Sequence, residues 1–245
     1  MLTGLQYRIL KWVAPQERSG PDPYENNSKL AILLGPQFFD EIRGKTVIDF
    51  GCGEGAQAVE MAQKGADVIG LDLRESVLSK GRQRAAAAGV RCEFVTECTR
   101  PADIVVSIDA FEHFADPAGI LEIMFKLLKP GGQLIASFGP TWYHPRGGHL
   151  VSVFPWAHLI FSEAALMRWR ADIRSDGAKH HHEVEGGMNQ MTIGRFEKIA
   201  HASPFEVVRI HPVPIRKLRP IHNGLTREWT TAVVQVRMRK PLDGR

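Results

Sequence analysis

The pattern of apolar and polar positions alternates between two periods over the middle third of the chain. Short apolar runs predict buried strands, and segments with helical spacing separate them. The predicted strands are KTVIDFG, ADVIGLDL, VRCEFVTE, ADIVVSID and GQLIASFG. The predicted helices are EGAQAVEMAQKG, RESVLSKGRQRAAAAG and PAGILEIMFKLLKPGG. Strands that alternate with helices in this way form a parallel sheet with crossover helices, so the pattern predicts a doubly wound α/β fold.

The later segments complete the predicted architecture. FEVVRIHPV and WTTAVVQVRMR are β-rich and can pair as a hairpin with a long connection. We therefore predict a doubly wound, mostly parallel, seven-stranded sheet with helices on both faces, as in Rossmann-like α/β proteins. TIGRFEKIAHA predicts a helix before the hairpin, and SEAALMRWRADI predicts another, for which Ser162 is a candidate N-cap.

Changes of pattern along the chain suggest its internal organisation. We expect one domain over residues 1–245, because the sequence has no internal repeat and no low-complexity linker. It divides into a helical segment over 1–43, the alternating core over 44–139, an insertion over 140–191 and a C-terminal helix and hairpin over 192–245. The insertion is rich in aromatic residues, His and Gly, and we expect it to lie over the carboxyl edge of the sheet.

Composition narrows the class of protein. The 245 residues are 44% hydrophobic and 24% charged, as in ordinary globular proteins. No apolar run approaches the roughly 18 residues of a membrane helix, and the N-terminal sequence lacks the features of a signal peptide. We therefore expect a cytoplasmic protein without a membrane span. Cys52, Cys92 and Cys98 lack paired metal-ligand spacing and are predicted to be reduced thiols.

The net charge of +4 is distributed unevenly along the chain. Between Arg209 and Lys240 there are eight Lys and Arg residues and a single acidic residue, Glu228, which gives this segment a charge of +7. This asymmetry is typical either of a solvated basic face or of an anionic partner near the C-terminal part of the chain.

The most informative motif is the glycine-rich turn in VIDFGCGEGAQ, directly after the first predicted strand. Gly51, Gly53 and Ala56 match the G-x-G-x-x-G/A pattern of dinucleotide sites. The pyrophosphate of a dinucleotide is doubly negative, however, and carboxylates at Asp49 and Glu54 would each repel it by about 1 kcal/mol or more. These acids suit a cationic ligand instead, and S-adenosylmethionine carries a positive sulfonium and a positive ammonium group.

Asp72 is at the end of the second predicted strand, 21 residues after Gly51. A carboxylate at this position can accept hydrogen bonds from ribose hydroxyls. Since both NAD and S-adenosylmethionine contain ribose, Asp72 does not discriminate between them. The acids at the glycine turn do, and they lead us to predict binding of S-adenosylmethionine rather than NAD.

Five blocks of the sequence resemble those of class I S-adenosylmethionine-dependent methyltransferases. They are VIDFGCGEG, VIGLDL, FVTEC, ADIVVSIDAFEHFADP and LKPGGQLIASF, in the family's order and spacing over about residues 46–138. The block EHFADP is similar to the branch that acts on small molecules, including ubiquinone-biosynthesis methyltransferases. The resemblance implies methyl transfer from S-adenosylmethionine, with an acceptor pocket built by the insertion and the C-terminal elements.

The resemblance also implies which residues bind the cofactor. The methionine part of the cofactor would contact Asp49, Gly51, Cys52 and Gly53, and its ribose would contact Asp72 and Leu73. The adenine edge would contact Glu97 and Cys98, and Ile108 and Asp109 would line the pocket near the methyl group. Cys98 can alternatively be read as a small buried apolar residue.

Methyl transfer requires in-line positioning of the acceptor, and also a base when the acceptor is a hydroxyl or an acidic carbon. The candidate base is His113, followed by His149 and His144, and Asp109 lies in the same block as His113. A histidine titrates near neutral pH and so suits this role. The alternative for each is a hydrogen-bonded or solvated ring without a catalytic role.

The segment DAFEH also allows a metal hypothesis. Asp109, Glu112 and His113 are at i, i+3 and i+4, which places them on one side of a helical turn. They are similar to the E-x-x-E-H metal motif of ubiquinone-pathway O-methyltransferases and small-RNA 2′-O-methyltransferases, with His149 as the downstream histidine. A divalent ion there could lower the pKa of an acceptor hydroxyl. The alternative has no metal, a locally bonded Glu112 and a His113 that packs against the cofactor.

Three classes of function remain open. The first is methylation of a small hydroxyl, carbon or amine acceptor, which the aromatic residues of the insertion suit. The second is RNA methylation through the basic C-terminal region, although no RNA-binding domain is recognisable. The third is a non-catalytic binding module. DNA is disfavoured as a partner, because SIDAFEHF has neither the Pro-Pro-aromatic motif of exocyclic-amine enzymes nor a cysteine nucleophile.

Overall fold

A computed structural model describes residues 2–14, 24, 27–149, 154–175, 177–184 and 187–242. Its strands are β1 (Thr46–Phe50), β2 (Asp67–Leu71), β3 (Glu93–Val95), β4 (Ala102–Ile108), β5 (Leu128–Phe138), β6 (Glu206–Pro214) and β7 (Thr231–Arg239). They form a sheet in the order β3–β2–β1–β4–β5–β7–β6. The first five strands are parallel, and β7 runs antiparallel to both β5 and β6. This confirms the predicted seven-stranded, mostly parallel sheet.

The helices cover both faces of the sheet. They are α1 (Leu2–Val13), α2 (Lys29–Leu34), α3 (Phe38–Ile42), α4 (Ala56–Gln63), α5 (Glu75–Ala87), α6 (Pro117–Leu127), α7 (Ala157–Ile160), α8 (Glu163–Ala171), α9 (Ile193–Ala202) and α10 (Arg227–Thr230). Two start signals are visible in the sequence: Asp116 accepts a hydrogen bond from Gly119 N at 3.1 Å before α6, and Thr192 accepts one from Arg195 N at 3.1 Å before α9.

Two hydrophobic cores lie on opposite faces of the sheet. Successive residues of a strand point to opposite faces, so Val47 packs against α2, α3, α4 and α5 while the next residue, Ile48, packs against α6 and α9. Ile104 and Val105 of β4 divide in the same way. Because both faces are buried, these strands are apolar almost throughout, which is the pattern that identified them in the sequence.

The N-terminal helix α1 packs against α8 of the insertion. Leu10 of α1 is fully buried in a separate apolar cluster, and Trp169 Nε1 of α8 donates to Ala14 O at 2.8 Å. Ser162 is the N-cap residue of α8, as predicted, but its hydroxyl donates to Gln6 Oε1 of α1 at 2.6 Å and not to the backbone of α8.

The carboxyl edge of the parallel strands is covered by the insertion. Asn189 Nδ2 donates to Phe111 O at 2.6 Å and to Phe114 O at 2.7 Å, which joins the end of the insertion to the loop after β4. Trp142 N donates to Met191 O at 2.7 Å and joins its two ends. The end of the insertion therefore lies beside the loop that follows β4.

Two predictions based on composition can be compared with the described residues. None of the helices in these ranges has the length and hydrophobicity that crossing a bilayer requires. All three cysteines are free thiols, with Cys52 buried and the other two half-buried, as predicted.

Candidate active site

The glycine turn between β1 and α4 exposes its backbone at the carboxyl edge. Gly51, Gly53 and Gly55 have φ values of +78°, +52° and +74°, a region that favours glycine. Gly51 N and Cys52 N donate to Leu71 O at 2.8 and 3.1 Å, which ties the turn to β2. A Cβ atom added at Gly53 would meet no other heavy atom within 4 Å. A ligand can therefore approach the backbone closely at this point.

The buried ring of Phe94 packs against the end of the glycine turn. A Cβ atom added at Gly55, Gly70 or Gly81 would lie 2.5 to 2.6 Å from the ring of Phe94. Real Cβ contacts are not this short, so the ring fits only because all three residues lack a side chain. The three glycines thus allow Phe94 to pack against the start of α4, against β2 and against α5.

Asp49 lies inside this site, at the penultimate position of β1. Its side chain is 3% exposed, and Asp49 Oδ2 has no hydrogen-bond partner. Burial raises the pKa of Asp49 from 3.8 to about 7, and the charge of Asp72 adds to this, while a backbone hydrogen bond from Ala58 opposes it. A cation bound beside Asp49 would therefore stabilise the ionised form of this carboxyl group.

Asp72 lies at the end of β2, facing the same turn. Its carboxylate accepts hydrogen bonds from Gly53 N at 3.1 Å, Arg74 N at 3.0 Å and Arg74 Nε at 3.2 Å. Burial acts to raise the pKa of Asp72, but the bonds from Arg74 and Gly53 outweigh it and lower the pKa below its ordinary value. Asp72 is therefore ionised at neutral pH. The adjacent Leu73 is 90% exposed, which leaves an apolar side chain bare at the edge of the groove.

Glu54 does not face the groove. Its half-exposed carboxylate pairs with Lys80 Nζ at 2.7 Å and with Arg84 at 3.8 Å, both on α5. These pairs neutralise its charge outside the turn. The negative charge at the turn that the sequence attributes to Asp49 and Glu54 therefore comes from Asp72, and from Asp49 when a cation beside it favours its ionised form.

The predicted adenine residues follow β3. Glu97 is exposed, whereas Cys98 is half-buried and packs against the core on the α6 face. The Cys98 thiol donates weakly to Arg100 O at 3.7 Å. This packing is what a small apolar side chain would adopt, and it leaves the proposed contact of Cys98 with adenine as a prediction.

Ile108 and Asp109 close the site at the end of β4. Ile108 is half-buried, and Asp109 has a left-handed φ of +49°. The carboxylate of Asp109 forms an ion pair with Lys29 Nζ at 2.5 Å. Lys29 is the first residue of α2, so the N-terminal segment supplies a cation to this site.

Glu112 is a second buried acid beside this pair. It is 4% exposed, Glu112 Oε1 accepts a hydrogen bond from Gly139 N at 3.1 Å, and Glu112 Oε2 has no partner. Burial, followed by the charge of Asp109, raises the pKa of Glu112 to about 8. The side chain is therefore mostly protonated at neutral pH and bonded locally, as in the alternative to the metal hypothesis.

His113 and His149 come together above the end of β4. Their rings meet edge to face with centroids 5.5 Å apart. His113 Nδ1 lies 2.7 Å from Gly187 O and His149 Nε2 lies 3.2 Å from Pro140 O. A carbonyl oxygen only accepts, so these nitrogens carry the protons, and His113 Nε2 and His149 Nδ1 are the basic ones. Burial lowers the pKa of His149 to about 4, so its ring is neutral at physiological pH.

The metal hypothesis gains no support from this geometry. Asp109, Glu112, His113 and His149 each bond to a different protein group, as described above. Within the described ranges, no group of three or more His, Cys, Asp or Glu residues is arranged to hold a metal ion. The i, i+3 and i+4 spacing is not sufficient, because the buried Glu112 points toward Gly139.

Sequence reasoning missed two cationic groups in the site. Arg74 is two residues from Asp72, a spacing at which a side chain can reach back, so local sequence held a signal for it. Lys29 is 80 residues from Asp109, and nothing in the sequence connects them. This ion pair forms because α2 packs beside the end of β4.

The family of the chain follows from its sequence matches. A family model described as a methyltransferase domain matches residues 24–210. The chain belongs to the methyltransferase domain family. This confirms the resemblance carried by the five sequence blocks, and it places the glycine turn, Asp49, Asp72 and the histidine pair inside the matched region of this methyltransferase domain.

Curated relatives match a smaller part of the chain. The ubiquinone biosynthesis O-methyltransferase of Pectobacterium atrosepticum is 33% identical over 153 residues, which are 53% of this chain and 61% of that protein. The protein of the same name from Aliivibrio fischeri is 37% identical over 102 residues, 38% of this chain and 44% of that protein. The chain thus matches roughly half of the length of these relatives.

Solved structures of methyltransferases share the fold of this methyltransferase domain. An S-adenosylmethionine-dependent methyltransferase from Mesorhizobium loti has a TM-score of 0.54 and 19% identity, covering 81% of this chain and 92% of that one. Magnesium protoporphyrin IX methyltransferase from Synechocystis PCC 6803, solved with bound S-adenosylmethionine, has a TM-score of 0.51 and 16% identity, covering 97% of this chain and 90% of that one.

Proposed function

We propose that this protein transfers a methyl group from S-adenosylmethionine to a small-molecule acceptor. The observation that carries the proposal is the pair of acids, Asp49 and Asp72, on either side of a glycine turn whose backbone is open. A dinucleotide would bring a doubly negative pyrophosphate next to these carboxyl groups, whereas a sulfonium cofactor brings positive charge. The family match and the O-methyltransferase relatives support the same activity.

The groups at the turn fit the parts of this cofactor. The buried Asp49, with its unpartnered Oδ2, would hold the cationic amino acid end beside Gly51, Cys52 and Gly53. Asp72 would accept hydrogen bonds from the ribose hydroxyls, and the exposed Leu73 would lie against an apolar surface. Further along the edge, Glu97 and Cys98 would border the adenine, and Ile108 and Asp109 the region of the methyl group.

The chain's own contribution to catalysis would be positioning and proton removal. When bound, the cofactor supplies an electrophilic methyl group, so the protein has to align an acceptor atom with it and exclude water. His113 Nε2 is the basic nitrogen of a ring held by Gly187 O, and it can take a proton from an acceptor hydroxyl. His149 packs against this ring and orients it. The ion pair with Lys29 would hold Asp109 in place next to the acceptor.

The acceptor is proposed to be a hydroxyl, carbon or amine of a small molecule. The insertion covers the carboxyl edge and supplies aromatic side chains that suit a flat apolar body, including Trp142 and Tyr143. The curated relatives are named O-methyltransferases, which favours a hydroxyl among these acceptors. Incubation with radiolabelled S-adenosylmethionine and a panel of phenols, amines and RNA, followed by identification of the labelled product, tests this part of the proposal.

Calorimetry tests the cofactor directly. Wild-type protein should bind S-adenosylmethionine and its demethylated product but not NAD. Asp72→Ala should weaken binding by about 1.5 to 3 kcal/mol, the value of hydrogen bonds to a charged group. Asp40→Ala, which changes an exposed acid on α3 that pairs with Arg43, is the matched control and should bind as wild type does. Tight binding of NAD, or an Asp72→Ala variant with unchanged affinity, would overturn the proposal.

A further inference from the structure

A cleft of about 780 Å³ lies where β6 ends and the chain begins its connection to β7. Its lining contains both apolar and basic side chains. Its lining includes Pro212, Val213 and Pro214 on β6, and Arg216, Arg219 and His222 after it. All of them follow residue 210, where the match to the methyltransferase domain ends, so the family relationship assigns this cleft no role.

Two guanidinium groups in the cleft lack a compensating charge. Arg216 and Arg219 are exposed, and neither forms an ion pair with any residue in the described ranges. Arg227, also in the lining, differs because Glu197 neutralises it through two contacts of 2.6 Å. The nearby acid Glu228 is also engaged.

Glu228 accepts hydrogen bonds from Ile193 N at 3.1 Å and from Gly194 N at 2.8 Å. Its charge thus stabilises the N-terminus of α9 rather than the cleft. Glu228 therefore does not neutralise the positive charge of the cleft. The cleft is a concave surface within the +7 segment, residues 209–240, and an anion can bind there.

The ring of His222 is held in one tautomer at the same surface. Thr230 Oγ1 donates to Thr226 O at 2.9 Å, so it must accept the hydrogen bond of 2.7 Å from His222 Nδ1. His222 Nε2 then remains as the nitrogen available to a ligand.

The apolar residues of the lining add a second requirement for the ligand. Pro212 and Pro214 have no backbone N–H, and with Val213 they present aliphatic surface to the cleft. The volume is within the range of about 300 to 1,000 Å³ typical of sites for small organic ligands, and is much larger than an inorganic ion needs. A ligand that satisfies both requirements has an apolar body and an anionic end.

This cleft is separate from the proposed cofactor site, although both are at the carboxyl edge of the sheet. β6 lies four strand positions from β1. Neighbouring strands are about 4.8 Å apart, so the two sites are separated by roughly 19 Å. We propose that the cleft formed by Pro212, Val213, Pro214, Arg216, Arg219 and His222 binds an organic anion that carries a carboxylate or phosphate group.

Calorimetric titration with phenyl phosphate and with benzoate tests this site, with benzyl alcohol as the neutral control. Both anions should bind saturably to the full-length protein, and the alcohol should not. Losing one charge-assisted hydrogen bond weakens binding about tenfold or more. The double variant R216Q/R219Q should therefore weaken anion binding by about a hundredfold, while S-adenosylmethionine binding and the circular dichroism spectrum stay unchanged.

The matched control is R91Q/R239Q, which also removes two exposed arginines but leaves the cleft intact. It should bind both anions as wild type does. Preference for phenyl phosphate or benzoate identifies which anionic group the ligand carries, and either preference supports the site. The proposal is overturned if neither anion binds, if benzyl alcohol binds equally well, or if the control variant loses as much affinity. It is also overturned if a single-stranded RNA oligonucleotide binds through these arginines while phenyl phosphate does not.

Discussion

The buried carboxyl group of Asp49 allows a test of the proposed cofactor site by pH. With its pKa raised to about 7, the unliganded protein retains a proton on Asp49 up to neutral pH. A cationic ligand favours the ionised form, so binding of S-adenosylmethionine should release this proton. We therefore expect the affinity to rise with pH up to about pH 7 and then to level off. Asp49→Asn should bind weakly and show no such pH dependence.

The size of the effect follows from the pKa. A rise from 3.8 to about 7 is roughly three units, which corresponds to about 4 kcal/mol. The folded protein keeps the proton that the unfolded chain loses near pH 4, so this group's contribution to stability is complete below about pH 4. It is lost as the pH rises to about 7. Asn does not titrate, so the free energy of unfolding of Asp49→Asn should not contain this loss. As the pH rises from about 4 to about 7, the variant should therefore gain about 4 kcal/mol of stability relative to wild type.

Two measurements check this prediction. Urea unfolding followed by circular dichroism at several pH values gives the free energy of unfolding, and calorimetry over the same pH range gives the affinity for S-adenosylmethionine. In wild type the affinity should fall up to about tenfold for each unit below pH 7. Asp40→Asn is the control, because its side chain is 79% exposed and should leave both curves unchanged.

Either of two results would contradict an Asp49 that is protonated by burial and ionised by the cofactor. The first is a stability difference between Asp49→Asn and wild type that does not change with pH, which would mean that burial does not raise the pKa. The second is an affinity that is independent of pH, or unchanged in Asp49→Asn, which would mean that the cation does not lie beside this carboxyl group.

Three further predictions concern the same edge of the sheet. Glu112→Gln should keep the bond to Gly139 N and remain within about 1 kcal/mol of wild-type stability at pH 7 in urea unfolding, whereas Glu112→Ala should lose about 2 kcal/mol. Gly55→Ala should lose about 2 to 4 kcal/mol in the same assay, because φ is +74° and the new Cβ would meet Phe94. His113→Ala should lower the initial rate of methyl transfer about 100-fold or more, with unchanged cofactor affinity by calorimetry.

Each of these has a control and an outcome that contradicts it. Equal losses in Glu112→Gln and Glu112→Ala would show that the acid is needed in its charged form. Gly89→Ala has a similar φ of +65° but meets nothing within 4 Å, so it should cost only about 1 kcal/mol. If it costs as much as Gly55→Ala, contact with Phe94 is not the reason. A His113→Ala variant with the wild-type rate would remove this residue as the base.

The sequence by itself determined the core of the fold. β1, the glycine turn and α4 are recognisable because strand period, turn residues and helix period are properties of neighbouring residues. The position of Asp72 after β2 follows from the same local pattern, and so do β6 and β7 as individual strands. These features depend on backbone conformation and on alternation across a strand, both of which act over a few residues.

Tertiary structure decided the chemistry of the individual groups. Asp49 and Glu112 have raised pKa values because many segments together exclude water from them, and no local pattern encodes this exclusion. Glu54 illustrates the opposite case, since it lies in the glycine turn in sequence but pairs with α5 in space. Ser162 is the N-cap residue that the sequence predicts, but packing of α1 against α8 directs its hydroxyl to Gln6.

The arrangement of distant residues was also decided by packing alone. His113 and His149 are far apart in sequence, and they meet because the insertion folds back over the end of β4. Lys29 reaches Asp109 only because α2 packs on the sheet beside it. The basic charge after Arg209 is evident in the sequence, but the cleft that concentrates it exists only where β6 meets its connection to β7. Each of these features depends on contacts between helices and strands that are distant in sequence. The local sequence pattern does not specify the geometry of such contacts.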